Sequence, residues 1–148
     1  MKIRSLLKSD KKDWHRLWTA YLQFYETSVS EHIYDTAFSR LLSDNSEEFN
    51  GLIVEKDGSK VGLAHYLFHR KLWTIEDTCY LMDLFVEENF RGQGLGQALI
   101  EKVKLKASEA GISNIYWMTQ EFNYKGRMLY DKVAERTPFI VYQIQKPN

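Results

Sequence analysis

A single cysteine, Cys79, in a chain of 148 residues excludes an internal disulfide framework and any zinc cage built on cysteine. With only two prolines and eight glycines there is no linker or low-complexity tract, so the chain reads as one folded domain over 1–148. Net charge is missing as well: 20 Lys/Arg balance 20 Asp/Glu. No bulk cationic field is therefore available for nucleic acid or anionic lipid, and any polyanion site must be local. No apolar run approaches the roughly 20 residues needed to span a bilayer. The opening Met1-Lys2-Ile3-Arg4-Ser5-Leu6-Leu7 runs into Lys8, Asp10, Lys11 and Lys12 instead of the apolar core of a secretion signal. Together these absences lead us to expect a cytoplasmic, soluble protein with neither a membrane nor a nucleic-acid partner.

What is present is the material for a core: 44% hydrophobic residues, among them 4 Trp, 9 Tyr and 8 Phe. Residues 2–7 alternate as a short strand. Trp14, Leu17, Trp18, Tyr21, Leu22 and Tyr25 then recur on one face of a helix over about 10–27, and a second helix is expected over 31–43. The period changes to that of strands at 51–55 and 60–68, which flank Asp57-Gly58, a hairpin turn signal. Residues 78–86 form the most hydrophobic strand, with Asp83 its only charge. A glycine-rich turn at 91–96 leads into a helix to about 110, where Leu95, Leu99, Val103 and Ala107 repeat at four. A strand at 114–119, a helix at 123–136 and a closing strand from Phe139 to Ile144 complete the order β-α-α-β-β-β-α-β-α-β. This is an α/β fold with a mixed central sheet flanked by helices. The unit 78–119 is a parallel crossover, which sets the turn at 91–96 at the carboxyl end of a central strand, where such sheets bind ligands.

In Arg91-Gly92-Gln93-Gly94-Leu95-Gly96 the glycines permit positive φ and a close approach of ligand to backbone, and the helix start adds unpaired N–H groups. The pattern suits a pyrophosphate. It is not a Walker A loop, since no Lys-Ser/Thr follows, and Gln97 and Leu99 stand where a dinucleotide fingerprint needs Gly or Ala.

The segment Leu84-Phe85-Val86 followed by Arg91 to Gly96 resembles the acetyl-CoA motif of the GNAT superfamily of N-acetyltransferases. Asn123-Tyr124-Lys125-Gly126-Arg127-Met128-Leu129-Tyr130 is similar to that family's Asn-x-x-Ala-x-x-x-Tyr segment, with Gly126 in place of the usual Ala. Trp14 to Tyr21, Tyr80 to Val86 and Tyr116 to Thr119 look like the branch of histone-and-polyamine and D-amino-acid acetyltransferases. The resemblance implies a GNAT fold and acetyl-CoA as co-substrate, held by Leu84, Phe85, Val86, Arg91, Gly92, Gln93, Gly94, Leu95, Gly96 and Gln97. It also implies that Asn123 holds the pantetheine arm, that Tyr130 protonates the departing thiolate, that Tyr25 and Glu26 bind substrate, and that the aromatic-rich closing strand joins two chains in a homodimer.

An amine of pKa near 10.4 is neutral in about 1 part in 2,500 at pH 7, so attack on a thioester requires removal of a proton. Asp83, Glu76, Asp77, Glu26 and Glu121 are the candidate carboxylates. Asp83 stands either at the chemistry or as a hydrogen-bonded strand carboxylate, and the position before it, a proposed base in polyamine acetyltransferases, is Met82. Glu26, Glu76, Asp77 and Asp83 would form a compact acidic pocket if the fold gathers them. His65 and His69, four apart on a strand, lie about 13 Å apart, too far to share a metal, and none is assigned. The expected activity is transfer of acetyl to a small primary amine. A non-catalytic acyl-CoA-binding module and a protein-lysine acetyltransferase are the alternatives.

Overall fold

In the computed structural model, which describes residues 1–145, Asp57 and Gly58 take φ of 52° and 78°. This is the doubly left-handed turn that matches the twist of a two-residue hairpin. It joins β2 (Asn50–Lys56) to β3 (Ser59–His69). With β1 (Lys2–Ser5), β4 (Thr78–Val86) and β5 (Ile115–Tyr116) they make one sheet in the order β1-β2-β3-β4-β5. Every neighbouring pair is antiparallel except β4 and β5, which are parallel as the crossover requires. The chain divides into two compact units, Met1–Met118 and Thr119–Asn148.

In the first unit, α1 (Lys11–Phe24) and α2 (Glu31–Leu41) cover one sheet face. Trp14, Leu17, Leu22, Tyr34, Phe38 and Leu41 pack there against Ile53, Leu63 and Phe85. Fully burying such a side chain contributes roughly 1.5–3 kcal/mol. The helix α2 starts at Ser30, whose hydroxyl accepts the Ile33 N–H. On the other face α3 (Leu95–Glu109) buries the predicted stripe of Leu95, Leu99, Val103 and Ala107. At the far edge Arg4 on β1 makes a bidentate pair with the buried Asp10 and also reaches Glu55 on β2. This ties two strands to the turn that enters α1.

Two irregularities shape β4. First, His65 pairs with Asp83 but Tyr66 pairs with Leu81, so Met82 is an extra residue in a β-bulge. Bulges re-aim side chains. Here Leu81 and Cys79 face α3, whereas Asp83 and Phe85 face α1. Second, β5 is shorter than the strand expected over 114–119, with two residues that pair only with Cys79 and Tyr80. Among the described residues, Leu81–Val86 therefore have no ladder partner on that side, and the two parallel strands part at the bulge.

In the second unit α4 (Tyr124–Val133) is shorter than the expected helix at 123–136 and is capped by Asn123. The closing strand expected from Phe139 to Ile144 is not formed: 139–144 is irregular, and Phe139, Ile140, Val141, Tyr142 and Ile144 are all exposed. Its composition suits a strand, but a strand exists only through its ladder, and among the described residues 139–144 shares in none.

Candidate active site

The turn between β4 and α3 is built as an anion cradle. Gly92 and Gly94 have φ of 76° and 81°, and a Cβ at either position would meet nothing within 4 Å, so the space over the backbone is open. Gly94 is the residue that enters α3, and the first helical bond runs from the Ala98 N–H to the Gly94 carbonyl at 3.0 Å. The N–H groups of Leu95, Gly96 and Gln97 are left for another acceptor. No acidic side chain in that first turn offsets the positive end of the helix.

Two cations flank the cradle. The Arg91 Nε donates to the Val86 carbonyl at 2.8 Å, and the guanidinium lies 5.6 Å from the ring centre of Phe85 and 5.9 Å from that of Phe24. This stacking holds Arg91 across the end of β4, and among the described residues its terminal N–H groups are unspent. The second cation, Lys56, was not marked by any motif. Strands β2 and β4 run in the same direction, so the end of β2 emerges at the same edge as the turn, and Lys56 Nζ donates to Gln93 Oε1. The signal for it is topological: a basic residue closing a strand that runs in the same direction as the site strand.

Leu84, Phe85 and Val86 lie on the stretch of β4 that has lost its β5 neighbour, so their backbone is open on that side. Tyr25 ends α1 at this same strand end, its ring 5.1 Å from Tyr21, which in turn meets Phe85 edge-on at 6.4 Å. Glu26 follows with a φ of 57° and is exposed.

The expected acidic pocket is not assembled. Glu76 accepts from the Ser113 hydroxyl and backbone, which holds its carboxyl below the usual range and pins the loop before β4 to the loop before β5. Asp77 is also at the start of β4, and six residues of strand, roughly 20 Å, separate it from Asp83. Only Asp83 reaches the middle of the sheet. Its Oδ2 is 2.8 Å from His65 Nδ1, and His65 Nε2 accepts the Trp14 indole N–H at 2.9 Å. Trp18 stacks on Trp14 at 5.3 Å and meets the His65 ring edge-on at 5.9 Å. Asp83 is thus hydrogen-bonded to its cross-strand neighbour, and its side chain is 12% exposed. Cys79, on the α3 face of the same strand, is fully buried, and burial pushes its thiol up to about 12, so it cannot serve as an acyl-accepting thiolate.

In the second unit Asn123 Oδ1 accepts the Gly126 N–H at 3.3 Å while its Nδ2 donates to Thr119 Oγ1 at 2.9 Å. A Cβ at position 126 would come within 2.5 Å of that Nδ2. Glycine at 126 thus makes room for the Asn123 carboxamide to fold over the helix start. Tyr130 is half-buried on α4, two turns beyond Asn123, and Glu121 is exposed, with its carbonyl accepting from Arg127. Among the described residues no group of three His, Cys, Asp or Glu could hold a metal ion.

A mixed sheet that parts beside a glycine turn and a helix start defines an acyltransferase scaffold, and similarity to known proteins agrees. The model of the acetyltransferase (GNAT) family matches residues 12–134, and the chain belongs to this family. It is 32% identical over 142 residues to the D-amino-acid N-acetyltransferase HPA3 of Saccharomyces cerevisiae, covering 95% of this chain and 88% of that one. The thialysine N-epsilon-acetyltransferase of Mus musculus is 29% identical over 137 residues, with 87% and 80% covered. Among solved structures, AAC(6')-Iy in complex with a bisubstrate analog, CoA-S-monomethyl-acetylneamine, superposes with a TM-score of 0.82 over 99% of this chain and 98% of that one, at 17% identity. The last likeness is one of fold.

Proposed function

We propose that this acyltransferase moves acetyl from acetyl-CoA directly to a small primary amine, amino-acid-like or polyamine-like. The observation that carries the reading is the open glycine cradle at the start of α3, flanked by Arg91 and Lys56 beside the unpaired edge of β4. A pyrophosphate suits three free N–H groups, a helix dipole and two cations, and an extended amide chain suits an unpaired strand edge. Similarity over nearly the whole chain to an enzyme named for D-amino acids supports the substrate class. When bound, acetyl-CoA supplies the activated thioester.

The protein's part is to bind, orient and move protons. Making the amine neutral costs about 4.6 kcal/mol at pH 7 from an ordinary pKa, and a carboxylate at the site offers a positioned acceptor for the proton as the nitrogen attacks. Asp83 is our candidate for this, directly or through a water. Tyr130 is the proposed acid, since a phenol is still protonated at neutral pH. Asn123, which caps the helix carrying Tyr130, is the proposed holder of the pantetheine arm, while Tyr25 and Glu26 are the proposed substrate contacts. The buried lone thiol, which argues against a cysteinyl intermediate, supports direct transfer.

The same reading includes a cytoplasmic homodimer. The exposed apolar side chains of Phe139 to Ile144 are the surface that a second copy would cover. Sedimentation of wild type against Val141→Lys tests it, with a monomeric wild type refuting the dimer. For the activity, calorimetry with CoA and a turnover screen over amines, histone peptide included, are decisive. CoA binding in the micromolar range and faster turnover of a small amine than of the peptide are expected. Absence of CoA binding refutes the site, and binding without turnover of any amine refutes the enzyme.

A further inference from the structure

The Trp14–His65–Asp83 chain contains more information than its distances. An indole N–H can only donate, so His65 Nε2, 2.9 Å from Trp14 Nε1, must present its lone pair. An imidazole has at least one proton, and with Nε2 committed as acceptor that proton sits on Nδ1. The contact of 2.8 Å between Nδ1 and Asp83 Oδ2 then has one possible direction: His65 donates and Asp83 accepts. A protonated Asp83 donating to Nδ1 would leave the ring with no hydrogen at all. A doubly protonated ring would set its Nε2–H against the Trp14 N–H. The geometry therefore commits one lone pair of Oδ2 to His65, while Oδ1 has no protein donor among the described residues.

The surroundings keep this arrangement in place. Trp14 is fully buried, His65 is 4% exposed, and the rings of Trp14 and Trp18 lie 6.2 and 5.9 Å from the imidazole, excluding the water that could compete for Nε2. His65 and Asp83 are direct cross-strand partners, and the bulge at Met82 immediately follows that pair in the ladder. A leucine at 65 would leave the buried Trp14 N–H without an acceptor and Asp83 without its donor, so the histidine serves both at once.

We propose that His65, its tautomer set by Trp14, is a positioning residue for Asp83. It fixes the carboxylate plane and leaves Oδ1, the oxygen without a protein donor, to take the proton from the substrate ammonium. The roles are reversed from those of a serine-protease triad, where a carboxylate orients a histidine that acts as base. Here the histidine, capped by an indole, orients the carboxylate. The proposal rests on Asp83 being the proton acceptor of the reading above.

Two measurements test it. Long-range proton–nitrogen correlation spectra of the wild-type protein should show His65 neutral, protonated at Nδ1 and accepting at Nε2, although free histidine prefers the other tautomer. A proton on Nε2, with or without one on Nδ1, overturns the proposal whatever Asp83 does. In kinetics, His65→Leu should lower kcat at least tenfold with KM for acetyl-CoA within twofold of wild type. His65→Asn, which keeps a donor where Nδ1 stands, should recover to within threefold. Asp83→Asn should lower kcat at least a hundredfold, and adding His65→Leu to it should cost nothing further. A folded His65→Leu enzyme with wild-type kcat, beside a crippled Asp83→Asn, overturns the positioning role and leaves the base standing. Wild-type kcat in Asp83→Asn overturns the base reading and with it the role of His65. If His65→Leu does not fold, failure of His65→Asn to keep kcat within threefold overturns the proposal.

Discussion

Two glycines with nearly the same backbone separate the cost of strain from the cost of a lost ligand. Gly94 has φ of 81° and Gly58 has φ of 78°, and a Cβ at either would meet no atom within 4 Å. Replacing each with alanine therefore introduces no clash and imposes one cost, a left-handed backbone on a residue with a Cβ, about 1 kcal/mol. In a chain of this size that lowers Tm by about 3–4 °C. Both variants should show the same shift by calorimetric scan. They should differ in CoA binding. At Gly58, in the hairpin turn, titration calorimetry should give the wild-type Kd. At Gly94 the new methyl occupies the space over the helix start, and affinity should fall at least tenfold, about 1.4 kcal/mol. Gly94→Asp adds a negative charge at the same place and should weaken binding further, an effect that grows at low salt. If Gly94→Ala binds CoA as wild type does, the cradle does not hold the pyrophosphate. If Gly58→Ala loses affinity equally, the effect is one of global stability, and the assignment loses its support.

Further outcomes are expected elsewhere. Tyr130→Phe keeps the ring and removes the proton donor, so kcat should drop on the order of 100-fold with CoA affinity unchanged, and an equal kcat refutes the acid role. The Arg4 guanidinium holds the Asp10 carboxyl below its ordinary value, so its stabilisation is present above about pH 4, the unfolded value, and fades as pH falls through the lower folded one. Asp10→Asn should cost on the order of 2 kcal/mol at pH 7 and flatten the acid limb of a urea-melt series, while an unchanged limb contradicts the pairing. Cys79 should resist thiol reagents at pH 8 in the native state and react at the rate of unfolding, because it is fully buried with its thiol pushed up to about 12.

How far the sequence reached depends on the range of the interaction. Periodicity is local, so the Leu95, Leu99, Val103, Ala107 stripe and the strands on either side of Asp57-Gly58 stand where the pattern predicts them. The glycine turn was legible for the same reason: a left-handed backbone at Gly92 and Gly94 is written in the residue type. The contacts that organise the candidate site are not local. Trp14 and His65 are 51 residues apart and meet through the packing of α1 on the sheet, while Lys56 and Gln93 are 37 apart and meet because β2 and β4 end at the same edge. Composition also could not tell that β5 ends after Tyr116 or that 139–144 forms no strand, since both depend on which neighbour is available to share hydrogen bonds. The acidic pocket failed on distance, because carboxylates close in sequence at 76, 77 and 83 are spread along an extended strand.

The bulge at Met82 has an evolutionary reading. Remove that one residue and the partner pairs on either side remain as they are: His65 still faces Asp83, and Tyr66 still faces Leu81. Each half of β4 keeps its inward face, and Met82, 38% exposed, takes little of the core with it. A bulged β4 and a straight one are therefore separated by a single codon, and an ancestral strand could gain or lose the extra residue by one in-frame change without repacking either layer.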